Sequence, residues 1–159
     1  IDLENAVIFE ELMTELEKRQ QEVRNVFAGF SDPDDKWAFI LKLAREHEGM
    51  DENLKADKFL VQGCAATMYL VPSFENGKVR FFMDTEGGVE NPLISRGLGV
   101  LALKIYNNLT PTEILEANPE FFQDIGLTVA LSATRANGFA SLLKQIYLYA
   151  RVYATLSQK

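Results

Sequence analysis

Residues 58–84 read "KFLVQGCAATMYLVPSFENGKVRFFMD". Within this stretch Asn76-Gly77 is a pair that tolerates positive φ in a tight hairpin turn. The runs on either side, "ATMYLV" and "KVRFFMD", are short and rich in β-branched and aromatic residues, as strands are. In the returning run Val79, Phe81 and Met83 alternate with Arg80, Phe82 and Asp84, which places the first set on one face of a strand. "KFLVQG" reads as another strand or strand edge. The stretch therefore predicts a three-stranded antiparallel meander, with Gly63 and Cys64 where the chain enters its first or second strand.

Outside this stretch the apolar period changes to that of helices. Leu3, Val7, Ile8, Leu12 and Leu16 recur at three- and four-residue spacing, predicting one amphipathic helix over the first thirty residues that continues through Val23, Val26 and Phe27. Asp32 followed by Pro33, Asp34 and Asp35 is a helix start, and Trp37, Ile40, Leu41 and Ala44 form the apolar face of that second helix. "TEGGVENP" reads as a loop. "LISRGLGVLALKIYNNL" at 93–109 reads as a largely buried helix, in which Gly97 and Gly99 each cost roughly 1 kcal/mol relative to Ala. Close packing against the sheet would offset that cost. "TPTE" at 110–113 is a capping box, Asn118-Pro119 begins a further short helix that Gly126 ends, and Phe139, Leu142, Leu143, Ile146, Ala150 and Tyr153 share one face of a long C-terminal helix. The fold class is α+β: a small three-stranded antiparallel sheet packed with N-terminal and C-terminal helices, as a single domain over 1–159.

Composition narrows the function. An apolar fraction of 47%, with 11 Phe and 5 Tyr, supports a packed core. A net charge of −7 without a basic cluster argues against nucleic acid as a partner. Apolar runs such as "GLGVLAL" at 97–103 fall well short of the roughly 20 residues a bilayer span requires, so no membrane association is expected. One cysteine makes no internal disulfide, which fits a reducing compartment and makes the cytoplasm the expected location. No leader pattern is present, and the start at Ile1 leaves open one removed before it.

One His and one Cys do not supply a structural zinc site, and no "HExxH" or "CxxC" occurs. His47, in "AREHEGMDEN" at a helix end, reads as a solvated surface histidine. Asp84, Glu86 and Glu90 read as part of a polar loop sooner than as a magnesium or acid–base site. The glycines at 87–88 and 97–99 lack the "GK[ST]" of a phosphate loop. Cys64 remains. A free cysteine is commonly an inert core residue, but Gly63 before it suggests a turn that carries the thiol to a loop tip.

"VQGC" at 61–64, "TPTEIL" at 110–115 and "LSATRANGF" at 131–139 together resemble the SufE family of sulfur acceptors. The matching residues fall in the family's order: Val61, Gly63 and Cys64; Gly97, Leu98 and Leu101; Thr110, Pro111 and Ile114; Leu131, Ser132, Arg135 and Gly138. The resemblance spans about residues 22–152 and leaves 1–21 as an N-terminal helical extension. It implies a SufE/IscU-like fold and a sulfur carrier that activates a PLP-dependent cysteine desulfurase, rather than a stand-alone enzyme. Cys64 would take the persulfide sulfur from a SufS-like desulfurase and pass it towards a SufB-like iron–sulfur cluster scaffold, with Arg135 as possible support. No cofactor would be bound by this chain, the PLP belonging to the desulfurase; a homodimer is left open. The family shelters its cysteine in an apolar cavity, which implies a raised thiol pKa and a partner that draws the loop out.

The chain departs from the family where Ala65, Ala66, Thr67, Met68 and Tyr69 replace polar residues followed by tryptophan, and where Ala130 and Ala133 replace a histidine and a proline. Two other readings stay open: a divergent SufE-like module that docks a desulfurase or scaffold without carrying sulfur, and a small thiol enzyme that would need a base beside Cys64.

Overall fold

Asn76 and Gly77 both hold positive φ, 53° and 77°, the combination of a two-residue hairpin turn whose twist matches its strands. The computed structural model describes residues 3–5, 12–64, 66–88 and 92–157. In it the turn joins β1 (Ala66–Glu75) to β2 (Lys78–Gly88). The strands pair antiparallel from Glu75↔Lys78 to Thr67↔Glu86, and an irregularity between Ala66 and Thr67 shifts the last pair to Ala66↔Gly88. The expected alternation holds over most of β2: Val79, Phe81 and Met83 are buried, while Arg80 is exposed.

The sheet has two strands, not the predicted three. Residues Asp57–Phe59 coil into a 3-10 turn, so "KFLVQG" contributes only a single bridge, Leu60 to Tyr69. The Val61 N–H donates to Met68 O at 2.9 Å, and Gly63, at φ +84°, then turns the chain away. Residues 85–88, read as loop, are strand because Ala66, Thr67 and Met68 lie opposite as partners.

The outer edge of β2 is closed without a strand. Val79 exchanges backbone bonds with Leu109 O (2.8 Å) and the Asn108 N–H (2.9 Å). The Asn107 side chain accepts from the Phe81 N–H at 2.8 Å and donates to Phe81 O at 3.3 Å, and His47 Nε2 lies 2.7 Å from Met83 O. His47 is thus a half-buried edge residue, not the solvated histidine expected, because the C-terminal end of its helix abuts β2. On β1 the outward-facing backbone at residue 72 belongs to Pro, which has no donor.

Helix α1 (Glu15–Ala28) starts at Thr14, whose hydroxyl accepts from the Glu17 N–H, and ends at Gly29. The single helix expected over the first thirty residues is therefore interrupted: residues 3–5 are helical, Val7 and Ile8 lie outside the described residues, and extended Thr14 restarts the helix. α2 (Pro33–Glu46) carries the predicted start as a full capping box between Asp32 and Asp35, and buries Ile40, Leu43 and Ala44. α3 (Pro92–Tyr106) lies between α2 and the hairpin. An added Cβ at Gly97 would sit 2.1 Å from Ile40 O, and one at Gly99 2.7 Å from Met83 Cε. Gly99 thus meets the sheet as expected, whereas Gly97 meets the backbone of α2. Arg19 reaches from α1 to the carbonyls of Ile105 and Asn107 at the far end of α3. α4 (Pro111–Leu115) has the Thr110–Glu113 capping box, α5 (Phe121–Asp124) is followed by Gly126 at φ +81°, and α6 (Ala133–Ser157) buries Phe139, Leu142, Ile146 and Ala150. Tyr153 of α6 stacks on Phe74 of β1 with ring centroids 4.9 Å apart. Among the described residues no helix is long and apolar enough to cross a membrane.

Asp84, on the opposite face from Val79, Phe81 and Met83 and read as part of a polar loop, is not solvated. It is buried and ion-paired with Arg96 of α3 and with Lys55, whose Nζ lies 3.3 Å away. Lys55 also meets Glu52 at 2.6 Å and Glu86 at 2.9 Å, so the cluster ties the segment ahead of Cys64 to β2 and α3. Burial alone would raise the Asp84 pKa, but hydrogen bonds from the Thr85 N–H, Arg96 and Lys55 outweigh it and hold the carboxyl below its ordinary value. The stabilisation is present above the unfolded value of about 3.9 and is lost as pH falls through the lower folded value. Asp84→Asn is expected to cost about 3 kcal/mol at pH 7, leaving two cations short of a partner. The gap to wild type should narrow below about pH 4 in thermal melts; a gap unchanged by acid would contradict the assignment.

Candidate functional site

The Gln62-Gly63 turn sets the site. Once Val61 has bonded to Met68, the chain must reverse within a few residues, and Gly63 supplies the left-handed conformation that makes this possible. The turn packs on α6: an added Cβ at Gly63 would lie 3.2 Å from Ser141 Oγ, and one at Gly138 3.1 Å from Cys64 Sγ. Cys64 is therefore at the tip of a turn, as Gly63 suggested, but half-buried. Its thiol donates to Gly138 O at 3.6 Å.

Cys64 lines a small, partly enclosed cavity of about 10 Å³ together with Met68 of β1, Ser95 and Leu98 of α3, and Thr134, Arg135, Gly138, Phe139 and Leu142 of α6. That is room for about one water. On its other side the turn borders an open groove of about 250 Å³ lined by residues 60–63 and 66–69. Cys64 borders both spaces, one small and mostly apolar, the other wider and more open to solvent.

Burial pushes the Cys64 thiol above its ordinary pKa, since the thiolate would lose hydration that an apolar cavity does not replace. Alkylation by iodoacetamide is accordingly expected to rise with pH through a midpoint above the ordinary thiol value of about 8.5. A midpoint at or below that value would show a thiol that is not held in the cavity.

Arg135 lines the same cavity from the first turn of α6, where its N–H meets the capping Ser132 Oγ at 3.3 Å. The structure thus brings together the two residues singled out from the sequence. It does not bring His47, which faces a separate groove with Arg80, Phe82 and Lys104. Among the described residues lining either space beside Cys64 there is no carboxylate, histidine or lysine, so no general base stands ready for hydrolytic thiol chemistry. Asp84 and Glu86 are strand residues engaged by Lys55, not loop residues, and Glu90 lies outside the described residues. No group of three or more His, Cys, Asp or Glu that could hold a metal occurs among the described residues. Met68, Ser95, Leu98 and Leu142 were not legible as site residues, since each also fits a plain core pattern.

Residues 21–150 match the SufE family model, described as an Fe-S metabolism associated domain. The chain belongs to the SufE family. It is 34% identical over 120 residues to an uncharacterized SufE-like protein of Synechocystis sp., covering 76% of this chain and 72% of that one. It is 32% identical over 126 residues to the sulfur acceptor protein CsdE of Escherichia coli, covering 78% and 82%. The fold is similar to the solution structure of a hypothetical protein from Thermus thermophilus, with a TM-score of 0.69 at 18% identity over 86% of this chain and 96% of that one. Within the SufE family pattern, the "VQGC" turn and the "SATRANG" start of α6 are the two segments whose contact makes the Cys64 cavity.

Proposed function

We propose that this protein is a sulfur acceptor and activator of a PLP-dependent cysteine desulfurase, carrying a persulfide on Cys64 towards iron–sulfur cluster assembly. The observation that carries the reading is a lone thiol at the tip of a glycine turn, seated in an apolar cavity without a base, in a chain of the SufE family. The SufE-like relatives include one named for sulfur acceptance, and others named for cysteine desulfuration.

The step balances without an oxidant. The Cys64 thiolate attacks the outer sulfur of the desulfurase cysteine persulfide, a new S–S bond forms on Cys64, the donor S–S bond breaks, and the donor leaves as a thiolate that takes up a proton. Cys64 is left as a persulfide for the next acceptor, a SufB-like scaffold. With one cysteine in the chain, no second thiol can discharge that persulfide as an internal disulfide. The small cavity has space for a single small atom beside the sulfur and none for a donor side chain, so a donor meets the thiol from the groove side or once the turn lifts from α6. Arg135 supports the site by lining the cavity floor and by starting α6 under it. A reducing compartment such as the cytoplasm would keep the thiol free.

The test is incubation of the reduced protein with a cysteine desulfurase and cysteine, then intact mass and peptide mapping under non-reducing conditions. A gain of one sulfur atom on the Cys64 peptide is expected. No gain, with a folded protein and a thiol that still alkylates, would overturn the reading.

A further inference from the structure

We propose that Gly138 is a positioning residue for the Cys64 thiol: its bare Cα and its carbonyl oxygen form the seat that keeps the sulfur against α6, beside the small cavity. The identity of residue 138 then governs how readily the thiol meets an electrophile. The biological use of this seat rests on the sulfur-acceptor reading; its existence does not.

Gly138 stands inside α6, where glycine is a poor helix former, and it has no positive φ to explain its presence. What it provides is space. An added Cβ would lie 3.1 Å from Cys64 Sγ and 3.3 Å from Cys64 Cα. The second contact is with backbone, so rotating the cysteine side chain does not relieve it; the turn itself has to rise. One helical turn further on, Ser141 takes the approach of Gly63, so the two glycines lie in one plane of contact: one in the turn, one in the helix beneath it.

The carbonyl works in the same direction. Gly138 O accepts from the thiol at 3.6 Å, an arrangement that favours S–H and opposes a thiolate, whose charge would face the negative end of the C=O dipole. Space and hydrogen bond together hold the sulfur down and protonated, and lifting the turn removes both restraints at once.

Gly138→Ala is therefore expected to alkylate with iodoacetamide severalfold faster at neutral pH, with the midpoint of the pH–rate profile lowered towards that of an ordinary thiol. A role confined to helix packing would leave that midpoint where it was. A folded Gly138→Ala protein with unchanged rate and midpoint would overturn the proposal. A second measurement covers the case in which this substitution is poorly tolerated. The drop in Tm caused by Gly138→Ala should be reduced in part in a Cys64→Ala background, which removes the Sγ contact and leaves the Cα one, and an equal drop in both backgrounds would also overturn it. Neither measurement uses a desulfurase. Absent sulfur uptake with the faster alkylation intact would sink the acceptor reading alone; uptake with unchanged alkylation would sink the role of Gly138 alone.

Discussion

Cys64→Ser protein incubated with a cysteine desulfurase and cysteine is expected to keep its own mass, whereas the wild type gains one sulfur atom. Serine is nearly isosteric, and its hydroxyl can donate to the same Gly138 carbonyl that the thiol uses, so stability should change by no more than about 1 kcal/mol. The cavity walls, the turn and any docking surface remain. Only the atom that can attack a persulfide sulfur and hold it has gone, so uptake should fall below detection. The same variant separates the acceptor from the docking module: stimulation of desulfurase turnover should vanish for the first and persist for the second. Sulfur recovered on the Cys64→Ser protein would place the acceptor elsewhere and end the proposal.

Gly97→Ala is expected to destabilise the fold by about 3 kcal/mol, near the upper end of overpacking costs. Substituting Ala for Gly inside a helix would by itself gain roughly 1 kcal/mol, so the sign depends on what the new methyl meets. At Gly97 it meets Ile40 O at 2.1 Å and Ile40 Cγ2 at 2.6 Å. The first is a carbonyl within α2, which moves only if the helices part, and parting them opens the core around fully buried Ile40. For a chain of this size the loss corresponds to a Tm lower by roughly 10 °C. Gly99→Ala is the matched comparison, because its methyl meets Met83 Cε at 2.7 Å, the far end of a flexible side chain. It should cost well under half as much. Equal melting temperatures for Gly97→Ala and wild type would show that the α2–α3 contact is looser than described.

Local chemistry was legible where one residue type has one physical use. Asn76-Gly77, the Asp32 and Thr110 caps and the apolar face of α6 each followed from sequence because turn geometry, capping and periodicity are set within a few residues. Tertiary compensation was not. Asp84 reads as part of a polar loop until Lys55 and Arg96 arrive from other elements, and "KFLVQG" reads as a strand because nothing local shows that Asp57–Phe59 coils. Cys64 and Arg135 were found through the order of motifs, and they do share a cavity. The seat beneath them was not legible, because a glycine inside a helix does not announce which residue, distant in sequence, lies against it.

The engaged outer edge of β2 bears on how another protein can approach. Val79, Phe81 and Met83 already have their outward backbone groups engaged by Leu109, Asn108, Asn107 and His47, and on the other strand Val61 engages Met68 while Pro72 offers no donor. An extended segment approaching β2 meets backbone groups that are already engaged at these residues, so strand addition along that edge is disfavoured. A partner that reads the side chains of the turn and the start of α6 would instead contact the residues that surround the thiol. Docking there would grip the latch itself, so that binding and unlocking become a single event.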